Sequence, residues 1–335
     1  MADTSQRSHS PDDLPPVEPP SAAFLVQLFL VPGLIVAIIV CVWLAFHWLA
    51  HLGNDPQAYV RTLRRDNEGR WQAALNLAND LRGPGGAALK ADEPLATELG
   101  RILDEEVANG RTGEQTQTLR VYLCRALGEF SIPAAAPPLV ARVKNLADPQ
   151  TARAAVEALS VLHANLAAAA RTADDPAAIT AAVIAASKSD DIPLRLACAF
   201  TLGVVGGPGA TDRLVELAAD SADDVRYNAA LALARQGREE SLDGLLEMLS
   251  LEEQPLPAGP EPGDAAQSQR YKRALVVINA LRGVALLVDA TQQPPPENVL
   301  ARVRAAANDS VGDVRSSAAA LLKKIERLTA PRAAA

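Results

Sequence analysis

"DDVRYNAALALARQG", residues 223–237, is the stretch whose reading decides the fold. Counted from Val225, apolar or small residues fall at Ala229, Ala232 and Leu233, offsets of four, seven and eight. That spacing is one face of an α-helix. Arg226 follows position zero directly. One such helix would fit almost any helical core, so what matters is whether the pattern recurs.

It does recur. "DVRSSAAALLKKIERL" places Val314, Ala318, Leu321, Leu322 and Ile325 on one face, with Arg315 after the first. "IPLRLACAFTLGVVGG" gives Leu194, Cys198, Thr201, Leu202 and Val205 with Arg195. "QTLRVYLCRALGEFS" gives Leu119, Leu123, Ala126, Leu127 and Phe130 with Arg120. "PQTARAAVEALSVLHAN" gives Ala152, Val156, Leu159, Ser160 and His163 with Arg153. Successive arginines lie 33, 42, 31 and 89 residues apart, and the last interval is about two repeats. "YKRALVVINALRGVALL", 271–287, fills that gap in a poorly matching register. Between these helices lie shorter helical stretches at 135–148, 176–189, 210–220, 241–250 and 297–309. Turn residues separate the two kinds, most clearly Gly206-Gly207-Pro208-Gly209. Each unit is helix, turn, helix and a short Asp-containing link. A period of about 30 to 45 residues with this plan predicts an all-α fold, an α-α superhelix of stacked helix pairs.

The link-plus-helix segments "ADSADDVRYNAALALARQG", "ANDSVGDVRSSAAALLKKI" and "SKSDDIPLRLACAFTLGVVG" resemble HEAT repeats, of the shorter HEAT-like type first named from phycobilisome lyases. The resemblance spans residues 115–328 and implies a HEAT/armadillo-like solenoid. It departs from the pattern in its first unit and in several links without aspartate. An arginine in a first helical turn sits unfavourably at the positive end of the helix dipole. Asp224 and Asp313 lie at helix starts, where a carboxylate caps free N–H groups. The resemblance further implies that Arg226 and Arg315 bridge adjacent units.

The rest of the 335-residue chain frames this array. Aromatics are 4% and hydrophobics 49%, much of it alanine, which suits closely packed helices. The net charge of −8 argues against a nucleic-acid partner, which requires a basic stripe. Cys41, Cys124 and Cys198 lack metal or disulfide spacing and read as thiols in apolar helices. No charged residue occurs between Glu18 and Asp55, and Phe24 to Leu52 is almost wholly apolar. That length predicts one retained transmembrane helix over 23–52 rather than a cleaved signal. Arg61, Arg64, Arg65 and Arg70 follow it, whereas Arg7 alone precedes it. The positive-inside rule therefore places the array in the cytoplasm and the N-terminus outside the cell membrane. Gly33, Ala37, Cys41 and Ala45 form a small-residue stripe that fits helix packing into a homo-oligomer, or chance in a helix rich in small residues. His47 and His51 share a face, but no third ligand lies near, so no metal is assigned. Residues 1–22 and 329–335 read as disordered tails, 53–114 as linker and capping helices, and 252–269 as a mobile loop. The stretch 83–94 also reads as a loop. Within 67–83, Trp71 reads as a core anchor capping the first unit.

Motifs of catalysis are missing from the sequence: there is no GxSxG, GxxxxGK[ST], strand-following GxGxxG or HExxH. His163 falls at a face-compatible offset and reads as packed. No catalytic, cofactor or metal residue is assigned, and no enzyme activity is expected. The second helices of a HEAT solenoid line its concave face. On them "ARVKN" and "ARVRA" place Arg142, Lys144, Arg302 and Arg304, which could hold an acidic protein partner or serve only as solubilising charge. The resulting expectation is a membrane-anchored scaffold that docks protein partners at the cytoplasmic face. Its alternatives are a lyase-like or enzyme-accessory HEAT protein, and a structural envelope oligomer.

Overall fold

The computed structural model describes residues 22–52, 56–65, 67, 69–251 and 264–329. The readings of disordered tails and of a mobile loop fall largely on residues 1–21, 330–335 and 252–263, which lie outside them, as do the side chains of His47 and His51. The chain divides into two units, Met1–Asn54 and Asp55–Ala335.

The first unit contributes one helix, α1 (Ala22–Leu52), assigned without interruption through Pro32. Its window Leu28–Ala45 has 18 residues, and none of it is buried. At 1.5 Å per residue that window spans about 27 Å, close to the ~30 Å of a bilayer hydrocarbon core. Gly33, Ala37, Cys41 and Ala45 are all exposed along it.

In the second unit every regular element among the described residues is helical. Long helices α3 (Arg70–Arg82), α6 (Glu114–Gly128), α8 (Pro149–Ala168), α10 (Ile192–Val205), α12 (Asp223–Arg235), α14 (Asp264–Thr291) and α16 (Gly312–Thr329) form one layer, each packed on the next. The second layer holds α5 (Glu93–Ala108), α7 (Ala136–Val143), α9 (Pro176–Ala186), α11 (Ala210–Leu217), α13 (Leu242–Leu249) and α15 (Glu297–Ala306). Within it α5, α7, α9 and α11 pack in sequence, and α13 packs on α15. Two further short helices, α2 (Pro56–Leu63) and α4 (Ala87–Lys90), pack beside α3. The stretch 83–94, expected as loop, therefore holds α4 and the start of α5. Trp71 is partly buried against the core, its ring 6.2 Å from that of Tyr122.

Four helices start the same way. Asp92, Asp148, Asp175 and Asp191 each accept the backbone N–H three residues on, at 2.7–3.1 Å, with a proline in the first two helical positions. The side chain satisfies a free donor, and proline lacks a hydrogen that would go unpaired there. Asp224 and Asp313, expected as caps, are not in the cap position. Each lies inside the first turn, and Ala222 before α12 makes no side-chain cap bond. Their charges still favour the positive end of the dipole.

The scarcity of aromatics is met by close approach. A Cβ on Gly128 of α6 would lie 2.9 Å from the Cα and carbonyl oxygen of Ala158 on α8. One on Gly203 of α10 would lie 2.5 Å from Cβ of Ala232 on α12. The fully buried Thr201 satisfies its hydroxyl on the Val156 carbonyl of the neighbouring α8, 3.1 Å away. After α10, Gly206, Gly207 and Gly209 have φ of 62°, 96° and 76°, and Thr180 donates to the Gly206 carbonyl at 2.8 Å.

Two further expectations are corrected. His163 is exposed on α8, since the helix buries Leu159 and Leu162 and carries the next position outward. Residues 264–269 belong to α14 rather than to the loop, because the helix extends well before its buried face begins at Ala274. α14 is also apolar enough to cross a membrane, but Val277, Leu281, Val284 and Val288 are buried between its neighbours, which accounts for that composition. The arginine by which α14 reaches the link ahead of α16, at Asp309, is Arg273, displaced in register from its counterparts.

Candidate docking surface

The arginines form the most regular feature of the array. Arg120 on α6 reaches Asp148 ahead of α8 at 3.1 Å. Arg195 on α10 makes a bidentate pair with Asp220 ahead of α12, at 2.8 and 3.0 Å. Arg273 on α14 reaches Asp309 ahead of α16 at 2.7 Å. These three bridge adjacent units. The resemblance had implied Arg226 and Arg315 in that role. Arg226 instead pairs with Glu247 on its own following helix at 2.5 Å, and Arg315 donates to the Asp309 and Ser310 carbonyls of its own link. Arg195, Arg226 and Arg315 each donate to the carbonyl six residues upstream, which anchors each link to its helix. The carboxylates respond. Hydrogen bonds from Arg195 hold Asp220 below its usual range against the opposing effect of burial. For Asp148 and Asp309 burial is the largest influence and acts upward. The hydrogen bonds from Thr151 and Arg120, and from Arg273 and Val311, outweigh it, so both end below the usual range.

These charges hold the stack together. Burial pushes the Cys124 and Cys198 thiols up to about 12, so neither is a thiolate at neutral pH. Among the described residues no three His, Cys, Asp or Glu side chains gather as a metal site.

The four cations expected on the second helices do not form one patch. Arg142 and Lys144 are on α7, and Arg302 and Arg304 on α15, with α9, α11 and α13 between in the chain. Arg142 is mostly buried and pairs with Asp104 of α5 at 3.1 Å. Arg304 pairs with Glu297 on its own helix at 2.5 Å. Arg302 is exposed. Lys144, at the C-terminal end of α7, lines a groove of about 340 Å³ between α7 and α9. The walls are apolar: Pro133, Pro137, Val140 and Ala141 on one side, Ala178 and Ile179 on the other. Asp174 and Asp175 lie at the rim. On the long-helix layer, α10 exposes Ile192 and Phe200 with Leu196 half-buried between them, spaced four apart. The groove went unread in the sequence. Its only trace there is alanine at positions 136, 141 and 178, where two helices that meet would otherwise carry filling side chains.

Residues 179–256, from α9 to α13, match the family described as HEAT repeats. A search of curated proteins gave no match. Among solved structures the chain is similar to human deoxyhypusine hydroxylase in complex with glycerol, at 19% identity, covering 81% of this chain and 96% of that one with a TM-score of 0.31. It is also similar to an engineered protein at 17% identity, covering 82% and 98%, with a TM-score of 0.36. A second engineered protein is 17% identical, covering 81% and 78%, with a TM-score of 0.34.

Proposed function

We propose that this chain is a membrane-anchored HEAT-repeat scaffold whose solenoid docks protein partners at the cytoplasmic face. The observation that carries this reading is the pairing of two surfaces that lack partners within their own unit. One is the apolar helix α1, with no residue of Leu28–Ala45 buried. The other is the second-layer face of the array, with an apolar groove lined by Lys144 and Asp174, neither of which has an ion-pair partner among the described residues. Stacked helix pairs present extended surfaces suited to protein partners rather than enclosed reaction chambers. The basic residues after α1 favour a cytoplasmic array and an external N-terminus.

In-cell crosslinking of the full-length protein, read by mass spectrometry, tests this beside a form lacking residues 1–53. The expected result is a full-length protein in the membrane fraction, and the same cytoplasmic partners recovered with both forms. Recovery of envelope proteins alone, or of no cytoplasmic protein, would refute it. The first of those outcomes favours an envelope oligomer packed through the Gly33, Ala37, Cys41 and Ala45 stripe, all exposed on α1.

A further inference from the structure

We infer that the groove between α7 and α9 is a peptide-docking site, and that it takes a segment of a partner protein in which an apolar side chain is flanked by a carboxylate and a cation. This rests on the scaffold reading and names where and what it binds. The volume of about 340 Å³ is at the small end of ligand pockets, about 300–1,000 Å³. Its walls are proline, alanine, valine and isoleucine, so they offer an occupant burial and few hydrogen bonds. The floor is firm, because Ile179 belongs to the core and Val140 packs against it.

Charge selects the occupant. The arginines of the ladder have carboxylate or carbonyl partners, and Asp175 is committed to capping α9 through the Ala178 N–H at 2.8 Å. Lys144 and Asp174 are different: both are exposed, both line the groove, and neither has an ion-pair partner among the described residues. Arg142, two residues before Lys144, is held away by Asp104. The groove therefore offers the Lys144 cation and the Asp174 carboxylate beside an apolar trough, with the capping Asp175 carboxylate, still charged, next to them. A peptide bearing both signs beside its apolar anchor satisfies all three features. A purely acidic segment would leave Asp174 opposed, and a purely basic one would oppose Lys144.

The test uses full-length protein in detergent micelles and a phage-displayed library of random 12-residue peptides. Peptides are selected on the native protein and counter-selected on Ala141→Arg, which places a long side chain in the trough from an exposed position. The expected result is enriched peptides with an apolar residue between opposite charges. Their affinity, measured by fluorescence anisotropy at low salt, falls at least tenfold with Ala141→Arg and about fivefold with Lys144→Glu. Replacing the peptide's acid with lysine restores binding to Lys144→Glu. Lys144 is exposed, so that variant remains informative if Ala141→Arg disturbs the fold. Failure to enrich any peptide over Ala141→Arg, or equal binding to Lys144→Glu, overturns the proposal. So does a change of particle size in the variants, which would put a second copy in the groove. If crosslinking recovers the same cytoplasmic partners with Ala141→Arg, the groove proposal falls and the scaffold stands. If neither form recovers any, the scaffold reading itself falls.

Discussion

Asp220→Ala removes a rung of the arginine ladder. Asp220 accepts two hydrogen bonds from Arg195 and one from the Ala222 N–H at 2.9 Å, so one carboxylate ties α10 to the link ahead of α12. The pair is mostly withdrawn from water, with side-chain exposures of 12% and 11%. Breaking a fully buried pair costs about 3–5 kcal/mol, because the remaining charge is stranded. An exposed pair contributes about 0–1 kcal/mol. Arg195 would keep its bonds to the Ser189 and Asp190 carbonyls and could turn toward solvent at this edge, so the cost falls between, at about 2–3 kcal/mol. Arg195→Met strands the Asp220 carboxylate in turn and leaves the Ser189 and Asp190 carbonyls without this donor, so it should cost at least as much. A coupling of about 1–2 kcal/mol between the two is expected from a double-mutant cycle. Stacked repeats open locally, so the assay is hydrogen exchange by mass spectrometry on the full-length protein. Exchange should speed about 30- to 150-fold in α10–α12, since each 1.4 kcal/mol is a factor of ten, while α3 and α6 stay unchanged. A change under about threefold would refute the claim that these rungs hold neighbouring units together. A uniform increase along the array would refute its locality.

Acid should loosen the same edge. Asp148, Asp220 and Asp309 are all held below the ordinary carboxylate value in the fold, so the unfolded chain binds protons first as pH falls. Their stabilisation is complete above about pH 4 and is lost below it; the urea midpoint should drop between pH 4 and 3, and drop less in the Asp148→Asn, Asp220→Asn, Asp309→Asn triple variant. Gly128→Ala should destabilise by about 1–2 kcal/mol, because the added methyl meets helix backbone that no rotamer change can move and this outweighs the gain in helix propensity. Gly113→Ala, with open space around it at the N-cap of α6, should change stability by only about 0.5 kcal/mol or less in the same chemical denaturation, because the lower entropy of the unfolded chain offsets alanine's poorer capping. A membrane-impermeant maleimide should leave all three thiols unlabelled in intact membranes: Cys124 and Cys198 are buried, and Cys41, exposed along α1, would lie within the bilayer. Rapid labelling of Cys41 in sealed vesicles would count against the membrane span.

The repeat was legible because its signals are local. Helical spacing at Val225, Ala229 and Leu233, and the glycine turn after Val205, follow from the preferences of a few adjacent residues. The cap positions show where local inference stops. Asp224 stands next to an apolar run, as a cap would, but the helix already begins at Asp223. Asp191 caps α10 because Pro193 fixes the second helical residue, leaving the aspartate just outside. The register of α14 was obscured for another reason: its apolar face serves three neighbours, so no single period marks it. Arg273 is identified by its partner Asp309, 36 residues away, a separation that helical periodicity does not encode.

The candidate surface was least legible because a cation's availability depends on what its neighbour helix supplies. Arg142 and Lys144 look equivalent in "ARVKN", yet two residues on a helix diverge by about 200°. One turns to Asp104 on α5, and the other to the trough beside α9. The same contrast separates Arg302 from Arg304, since only the latter has Glu297 within reach on its own helix. A stack of short helices thus sorts its charges by register. Those facing a neighbouring helix are taken up in holding the stack. Those facing the spaces between helices stay free, and at α7–α9 the free charges coincide with alanines that leave the space unfilled. The α15 cations are not among the residues lining that trough, so they do not set its charge. Of the four cations, Lys144 is therefore the one whose reversal should alter peptide recognition, and Arg302→Glu is the matched control that should leave it unchanged.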